Sequence, residues 1–419
     1  MKIIIIGAGL MGVTSAYYLS EQGHEVLVID RQGGPALETS FANAGVLHPS
    51  QAAPWNHPGI ALQILKWMGN EHSPFLLRPR ALPSLFNWGI SFLRHARPNN
   101  FQANLQSNTV LANYNIQCMQ DLLRKHPVDY CANSLGSMKV LEREQDMETA
   151  IASIPLFERL GVQCAVLSQA EVFNKEPALI ENGNKLIGGI YYPSDQSGDA
   201  HQFCTKLTEL AKNNHVQFEY NKVVEEIIHS GNKIIGVKTA GVTHTADAYV
   251  LAAGSYSPLL AKSIKLKLPI RPVKGYSITL DMHDWEIKPR MPVIDEETHT
   301  AITPLGNRLR AAGTAELTGY SRDINSQRIQ MVFDQVKVRY PAAGRGSKDV
   351  EISPWTGLRP TSVDGVPILG STPFENLYLN TGHGHLGWTF AMGSGKLLAD
   401  VISGLKPDIE VSAYNVSRF

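Results

Sequence analysis

The sequence predicts an α/β chain with a nucleotide-binding domain assembled from separated pieces and a second domain inserted between them. Three observations predict it. The first thirty residues read as strand, glycine turn, helix and strand. A strand at 248–252 ends in small residues, and a strand–turn–helix unit fills 376–403. Between them the chain changes character, helical over 61–126 and strand-rich over 268–315.

Lys2–Ile6 is a β-branched run that fits a buried parallel strand. Residues 11–21 suit a helix stopped by Gly23, and Glu25–Ile29 is the next strand, ending at Asp30. Residues 33–60 are rich in Gly, Pro, Ala, Ser and Asn and read as ordered loop beside a ligand. Ser137–Leu141 and 189–192 suit strands, with a helix over 142–160 between them. A helix over 199–213 precedes strands at 216–220 and 223–230, and Gly231-Asn232 turns the chain into a strand at 234–239. Residues 328–339 suit a helix, 376–380 a strand, 382–387 a turn and 388–403 a helix.

Composition narrows the function. The 419 residues carry 38 basic and 38 acidic side chains and a formal net charge of zero. No basic run could track a phosphate backbone, so nucleic acid is not the expected partner. Cys118, Cys131, Cys164 and Cys204 are dispersed without a CxxC pair, which suits buried free thiols better than a zinc site or a disulfide framework. The apolar run at 3–6 is too short for a signal segment, and no apolar stretch is long enough to span a bilayer.

Gly7-Ala8-Gly9-Leu10-Met11-Gly12 matches GxGxxG between strand and helix. Such glycines allow a tight turn, backbone approach to a pyrophosphate and close helix–strand packing, and the helix terminus offers free N–H groups. Asp30, at the end of the second strand, suits ribose hydroxyls, and Arg31 follows it. NAD and FAD both satisfy this motif. Ala253 and Gly254 end a strand that can lie beside the first. Gly382 to Gly387 repeats the glycine spacing without a following acid, which suits a helix terminus aimed at a ligand better than a second dinucleotide site. His383 and His385 lack a nearby carboxylate or Cys, so no metal is expected. Arg359 follows Gly357 in a Gly/Pro-rich stretch read as a fixed turn, where a fork of donors would suit a carboxylate; a surface salt bridge is the plainer alternative. His48, with Trp55 and His57, stands just after the loop at 37–45 and is a candidate pocket residue.

Six ordered blocks, GAGLMG (7–12), LETSFANAG (37–45), APWNHPG (53–59), KGYS (274–277), WTGLRPTSVDGVP (355–367) and NTGHGHLGWTFAMGSG (380–395), resemble the D-amino-acid oxidase and glycine oxidase family of flavoproteins, most closely its bacterial D-amino-acid dehydrogenase branch. The resemblance implies a discontinuous Rossmann-type FAD-binding domain over 1–80, 195–268 and 353–419. It also implies a substrate domain over 81–194 and 269–352, an antiparallel sheet covered by helices. It implies non-covalent FAD held by Gly7, Gly9, Leu10, Met11, Gly12, Asp30 and Arg31. Thr39, Ser40, Asn43, Ala44 and Gly45 would pass the pyrophosphate and flavin, and Val223 or Val224 the adenine. Ala253, Gly254, Gly357, Arg359, Gly384, His385, Leu386, Gly387, Trp388 and Thr389 would complete the cofactor site. Arg359 and Tyr276 would hold a substrate carboxylate near His48, with no certain catalytic base.

The implied reaction is oxidation of a D-amino acid by hydride transfer from Cα to flavin N5, giving a 2-oxo acid and ammonia. Electrons would pass to a quinone or another acceptor rather than mainly to oxygen. An oxygen-using oxidase of glycine, sarcosine or proline-type amines is the alternative, and a non-catalytic dinucleotide sensor is the alternative of another class. A cytoplasmic location is implied. Residues 75–97 alternate aromatic and aliphatic side chains with Arg78, Arg80, Arg94 and Arg97. Peripheral contact with the inner face of the membrane is one reading of them and a partly buried amphipathic helix the other.

Overall fold

The computed structural model describes residues 1–67, 69–71, 73–345 and 351–419, without the side chain of Arg80. The parts of the expectations above that fall on 68, 72, 346–350 and the Arg80 side chain lie outside the described residues.

Strand β1 (Lys2–Ile6), helix α1 (Leu10–Glu21) and strand β2 (Glu25–Ile29) open the chain as expected. β1 pairs in parallel with β2 on one side and with Ala248–Leu251 on the other. Leu377–Thr381 and Gln217–Glu219 extend the sheet in parallel, and Ile368–Ser371 closes one edge antiparallel. Successive side chains of β1 point to opposite faces. Ile3 and Ile5 enter one core with α1, Ala200–Asn213 and Gly387–Ile402. Ile4 and Ile6 enter another with the three-stranded antiparallel sheet of Val224–Ser230, Lys233–Thr239 and Val242–His244. Both faces are covered, so the strand is apolar at all of its buried positions, Ile3 to Ile6, instead of alternating. Each buried Ile contributes roughly 1.5–3 kcal/mol.

Among the described residues the second sheet has nine strands. Ser353–Ser362 forms its edge, followed by the long strand Ile270–Asp281, then Arg308–Leu317, Thr300–Leu305 and Val293–Asp295. Ser137–Leu141, Gly188–Tyr192 and Ala165–Ser168 continue it, and Phe75–Leu77 pairs in parallel with 315–317. The strand Ile270–Asp281 joins the two layers: Ile270 lies in the core beneath the parallel sheet and Ile278 in that of the second sheet.

Three expectations change. Arg359 is not in a turn but inside the ten-residue strand Ser353–Ser362, paired with Val273. An edge strand tolerates Pro354 and Pro360, which the sequence pattern reads as turn residues. That strand and Phe75–Leu77 belong to the second sheet. Residues 61–126 are helices Ile60–Trp67, Leu82–His95 and Pro98–Lys125 interrupted by that short strand. Cys118 and Cys204 are buried free thiols, whereas Cys131 and Cys164 are partly exposed.

One buried carboxyl group ties the loop after His48 to the second sheet. Asp195 accepts from Ser50 Oγ at 2.5 Å and from Ser137 Oγ at 2.6 Å. Burial pushes its pKa up to about 7, against the lowering effect of those donors. A carboxyl that ionises near 4 unfolded and near 7 folded binds more protons in the folded state across that window, so its contribution to stability falls as pH rises from 4 to 7. Asp195→Asn therefore gains stability relative to the parent over that range, by up to about 4 kcal/mol at pH 8 if the amide keeps the hydrogen bonds. Thermal melts at pH 5 and pH 8 check it; the same difference at both would exclude an ionisation at Asp195.

Candidate active site

A cleft of about 890 Å³ runs from the carboxyl ends of the parallel strands to the face of the second sheet. Its size and mixed lining suit a cofactor with a ligand, and strand carboxyl ends are where open parallel sheets bind them.

At one end stands the glycine turn. A Cβ on Gly12 would lie 1.8 Å from the Gly7 carbonyl oxygen, so only glycine lets α1 sit this close to β1. Gly12 thus packs and does not line the cleft, whereas Gly7, Gly9, Leu10 and Met11 do. α1 begins with no side-chain cap and no acid in its first turn, which leaves a positive helix end facing the cleft. Asp30 accepts from Ala8 N at 2.6 Å and from Gln32 N at 2.7 Å. Burial raises its pKa against these bonds. Arg31 is held by an ion pair with Glu38 and lies over the Tyr256 ring at 3.7 Å. Val223, Val224, Ala253 and Gly254 complete this end.

The loop at 39–45 crosses the middle. Thr39 Oγ1 donates to Leu358 O at 2.9 Å, and Ser40 Oγ accepts from Leu10 N at 3.3 Å. The second sheet grips the loop through Ser277 Oγ to Ala42 O at 2.7 Å and Arg310 Nη1 to Asn43 O at 3.2 Å. Phe41 sits 4.7 Å from His201 and 4.6 Å from Trp355. Thr39, Ser40, Asn43, Ala44 and Gly357 line the cleft, while Gly45 packs against the Gly198 carbonyl and Leu305. Gly357 admits the loop, since a Cβ there would lie 3.2 Å from Thr39 Cα.

The C-terminal turn closes the far side. Gly384, His385, Gly387 and Trp388 line the cleft; Leu386 is buried in the core, and Thr389 Oγ1 instead accepts from His48 N at 3.3 Å. Helix Gly387–Ile402 also starts without a side-chain cap or acid. His385 stacks on Trp55 at 4.7 Å, and His383 Nε2 lies 3.1 Å from Ser394 Oγ. Burial pushes His383 down to about 3 and His48 to about 4. His385 lies well below the ordinary range, first through burial and then through the charges of His48 and Arg359. At neutral pH all three imidazoles are uncharged.

Arg359 lies among them. Its guanidinium rests on the bare Cα of Gly275, where a Cβ would come within 2.3 Å of Cζ. Nη1 donates to Thr314 O at 2.8 Å, and Cζ stands 5.5 Å from the Trp55 ring centroid. No carboxylate among the described residues pairs with it, and burial alone pulls it down to about 10. The salt-bridge alternative for Arg359 therefore fails: it is a desolvated cation facing a cleft.

Tyr276 does not join it. The register sets Tyr276 opposite Thr356 and Arg359 opposite Val273, so the two side chains leave opposite faces of the sheet. Although Tyr276 borders the cleft, its hydroxyl donates to Glu316 Oε2 at 2.5 Å, beside Lys274 and Arg78.

Comparison with known proteins decides the family. A model described as FAD dependent oxidoreductase matches residues 2–401. The chain belongs to that family. It is 40% identical over 419 residues to a D-amino acid dehydrogenase of Allorhizobium ampelinum, covering 100% of this chain and 99% of the relative. A D-amino acid dehydrogenase of Bradyrhizobium diazoefficiens is also 40% identical over the same length, with the same coverage. Among solved structures, glycine oxidase from Geobacillus kaustophilus superposes with a TM-score of 0.78 at 19% identity, covering 100% of this chain and 98% of that one.

The residues of this FAD-dependent oxidoreductase fit its cofactor. Two uncapped helix termini, from α1 and Gly387–Ile402, border one cleft that also holds the Asp30 carboxylate. An added Cβ on Gly9 would meet only Ser40 Oγ, at 3.5 Å, so its backbone is bare toward the cleft. Sequence reasoning missed Gly275 and Thr314. Gly275 stood inside a quoted block, but its steric role needs the strand pairing; Thr314 carries no sequence signal at all. Gly275→Ala should push the Arg359 guanidinium out of place. Titration of the flavin spectrum with a small carboxylate should show affinity falling at least about 10-fold, with FAD affinity within about 3-fold of the parent. Unchanged carboxylate binding would remove Gly275 as the floor of the site.

Proposed function

We propose that this oxidoreductase oxidises D-amino acids, yielding a 2-oxo acid and ammonia once the imine is hydrolysed, and that electrons leave to a quinone or another acceptor rather than mainly to oxygen. The observation that carries the reading is Arg359, a partly buried guanidinium at the cleft wall with no carboxylate partner among the described residues. The D preference rests on the names of the relatives at 40% identity.

FAD, when bound, supplies the two-electron acceptor for the hydrogen at Cα. Arg359 grips the substrate carboxylate with the N–H groups not given to Thr314, and so fixes the orientation of Cα. The same cation disfavours an ammonium beside it, which promotes the neutral amine that the reaction needs. His48 and His385 add no charge. Trp55 holds His385 by stacking and faces the guanidinium, walling that side from water. The helix termini at 10 and 387 favour negative charge on the phosphates and on the reduced cofactor.

The test is anaerobic. D- and L-amino acids, D-proline, sarcosine and glycine are added in turn to the holoenzyme while the visible flavin band is followed. D-amino acids should bleach it fastest. Rapid peroxide formation in air with glycine or sarcosine would favour the oxidase alternative, and no bleaching by any amine would favour a sensor. Arg359→Ala should lower kcat/KM about 1,000-fold, chiefly through KM, with the flavin spectrum intact; parental turnover would sink the assignment.

A second reading concerns the membrane. No helix among the described residues is long and apolar enough to cross one. Helix Leu82–His95 buries Leu85, Trp88 and Phe92 but exposes Leu82, Phe86, Ile90 and Leu93. Neighbouring Leu62 and Leu65 are 67% and 64% exposed. Apolar side chains on two helices of one local core, beside Arg94 and Arg97, suit peripheral contact with an anionic bilayer. The protein should float with anionic liposomes, and Phe86→Ser with Leu62→Ser should abolish it; no recovery of the parent with the vesicles removes the reading.

A further inference from the structure

Beyond Arg359 the cleft continues along the strand Arg308–Leu317. The pairing of this strand with Ile270–Asp281 slips between Tyr276↔Gly313 and Lys274↔Glu316, which makes a bulge. Thr314, inside it, has a φ of +55°. A β-branched residue rarely adopts that conformation, and such strain gathers at functional sites. The bulge does two things. It aims the Thr314 carbonyl at Arg359, and it aligns the next residue, Ala315, with Phe75 on the short parallel strand. Phe75 is thereby fixed one residue from the contact that positions the guanidinium.

Phe75 faces Trp67 at 6.3 Å, and Trp67 meets the His299 ring edge-on at 6.3 Å. These rings and Ile64 line the cleft. Leu76, the neighbour of Phe75, is buried on the opposite face, so the alternation of the strand leaves Phe75 to the cleft. Two carboxylates border this end and both are already paired. Asp295 is bonded to Arg339, and Glu296 to Lys139 at 2.8 Å. Among the described residues a basic ligand side chain would find apolar rings and no unpaired carboxylate at this end.

We propose that Trp67, Phe75 and Ile64 form the side-chain subsite of the active site, and that it takes a large apolar or aromatic amino-acid side chain in preference to a small or a basic one. The proposal rests on Arg359 as the carboxylate clamp, because the bulge measures the subsite from that residue.

The holoenzyme tests both. Phenylacetate and acetate are titrated against the flavin spectrum, and kcat/KM is measured for D-phenylalanine, D-leucine, D-alanine and D-arginine. Phenylacetate should bind about 10-fold or more tighter than acetate, and D-phenylalanine and D-leucine should exceed D-alanine and D-arginine. Phe75→Ala and Trp67→Ala should remove about 10- to 100-fold from the aromatic ligand and substrate, and less than about 3-fold from acetate and D-alanine. Should Trp67→Ala fail to fold, Phe75→Leu, which keeps the wall apolar, should reduce the aromatic preference while leaving D-leucine within about 3-fold. Equal affinity of the two acids in the parent, or equal losses on all substrates in the variants, overturns the subsite while leaving the clamp standing. Arg359→Ala should weaken both acids alike. If it weakens neither, the clamp fails and the subsite measured from it is overturned too.

Discussion

The site depends on a cation laid across a glycine. Among the described residues Arg359 has no acidic partner, and it donates a hydrogen bond to the Thr314 carbonyl. A desolvated guanidinium is costly unless something compensates it. Here the compensation inside the chain is partial: a carbonyl dipole below and the Trp55 ring face beside it. The remaining demand is for an anion entering the cleft. The bare Cα of Gly275 sets the depth of the guanidinium, and the strained bulge at Thr314 sets its direction. Three features on three adjacent strands thus serve one planar group.

Those strands also connect the cofactor layer to the substrate layer. Ile270–Asp281 begins beneath the parallel sheet and ends in the second core. Ser277 and Arg310 reach from the second sheet to the carbonyls of the loop at 39–45. Thr39 and Ser255 both donate to Leu358 O, next to Arg359. A shift of the edge strand would disturb the loop, the strand end at 253–254 and the guanidinium together. The nucleotide and the substrate clamp are therefore registered by backbone pairing, which is stiffer than contact between separate lobes.

What could be read in the sequence follows from how local each cause is. The glycine turn at 7–12 and Asp30 are spaced by helix and strand geometry within thirty residues, and they stand where the spacing puts them. The strand expected at 248–252 could lie beside the first, although small residues at a strand end also suit plain close packing, and it pairs with β1 over 248–251. Arg359 was legible as a candidate carboxylate binder, but not as a strand residue. Its two flanking prolines signal a turn unless the strand is known to be an edge, and edge position is a tertiary fact. Tyr276 was assigned to the wrong partner because one residue of register exchanges the faces of a strand, and Glu316 sits on the other face. Thr314 was invisible, since nothing in a threonine announces a bulge.

The neutrality of the histidines around Arg359 follows first from burial, and for His385 also from that cation. A second positive charge beside it would have to be desolvated in its presence, so burial and like charge both push His385 down. Around Arg359 the cleft wall then presents the guanidinium beside the Trp55 ring and uncharged imidazoles. An amino acid arriving as a zwitterion meets unequal treatment at its two ends. On the proposed reading its carboxylate gains the partner that Arg359 lacks among the described residues, whereas its ammonium lies in the field of the same cation. The field that anchors one end therefore favours release of the proton from the other, and the neutral amine is the form from which a hydride can leave Cα. On the proposed reading, binding and activation of the substrate both rest on this one guanidinium.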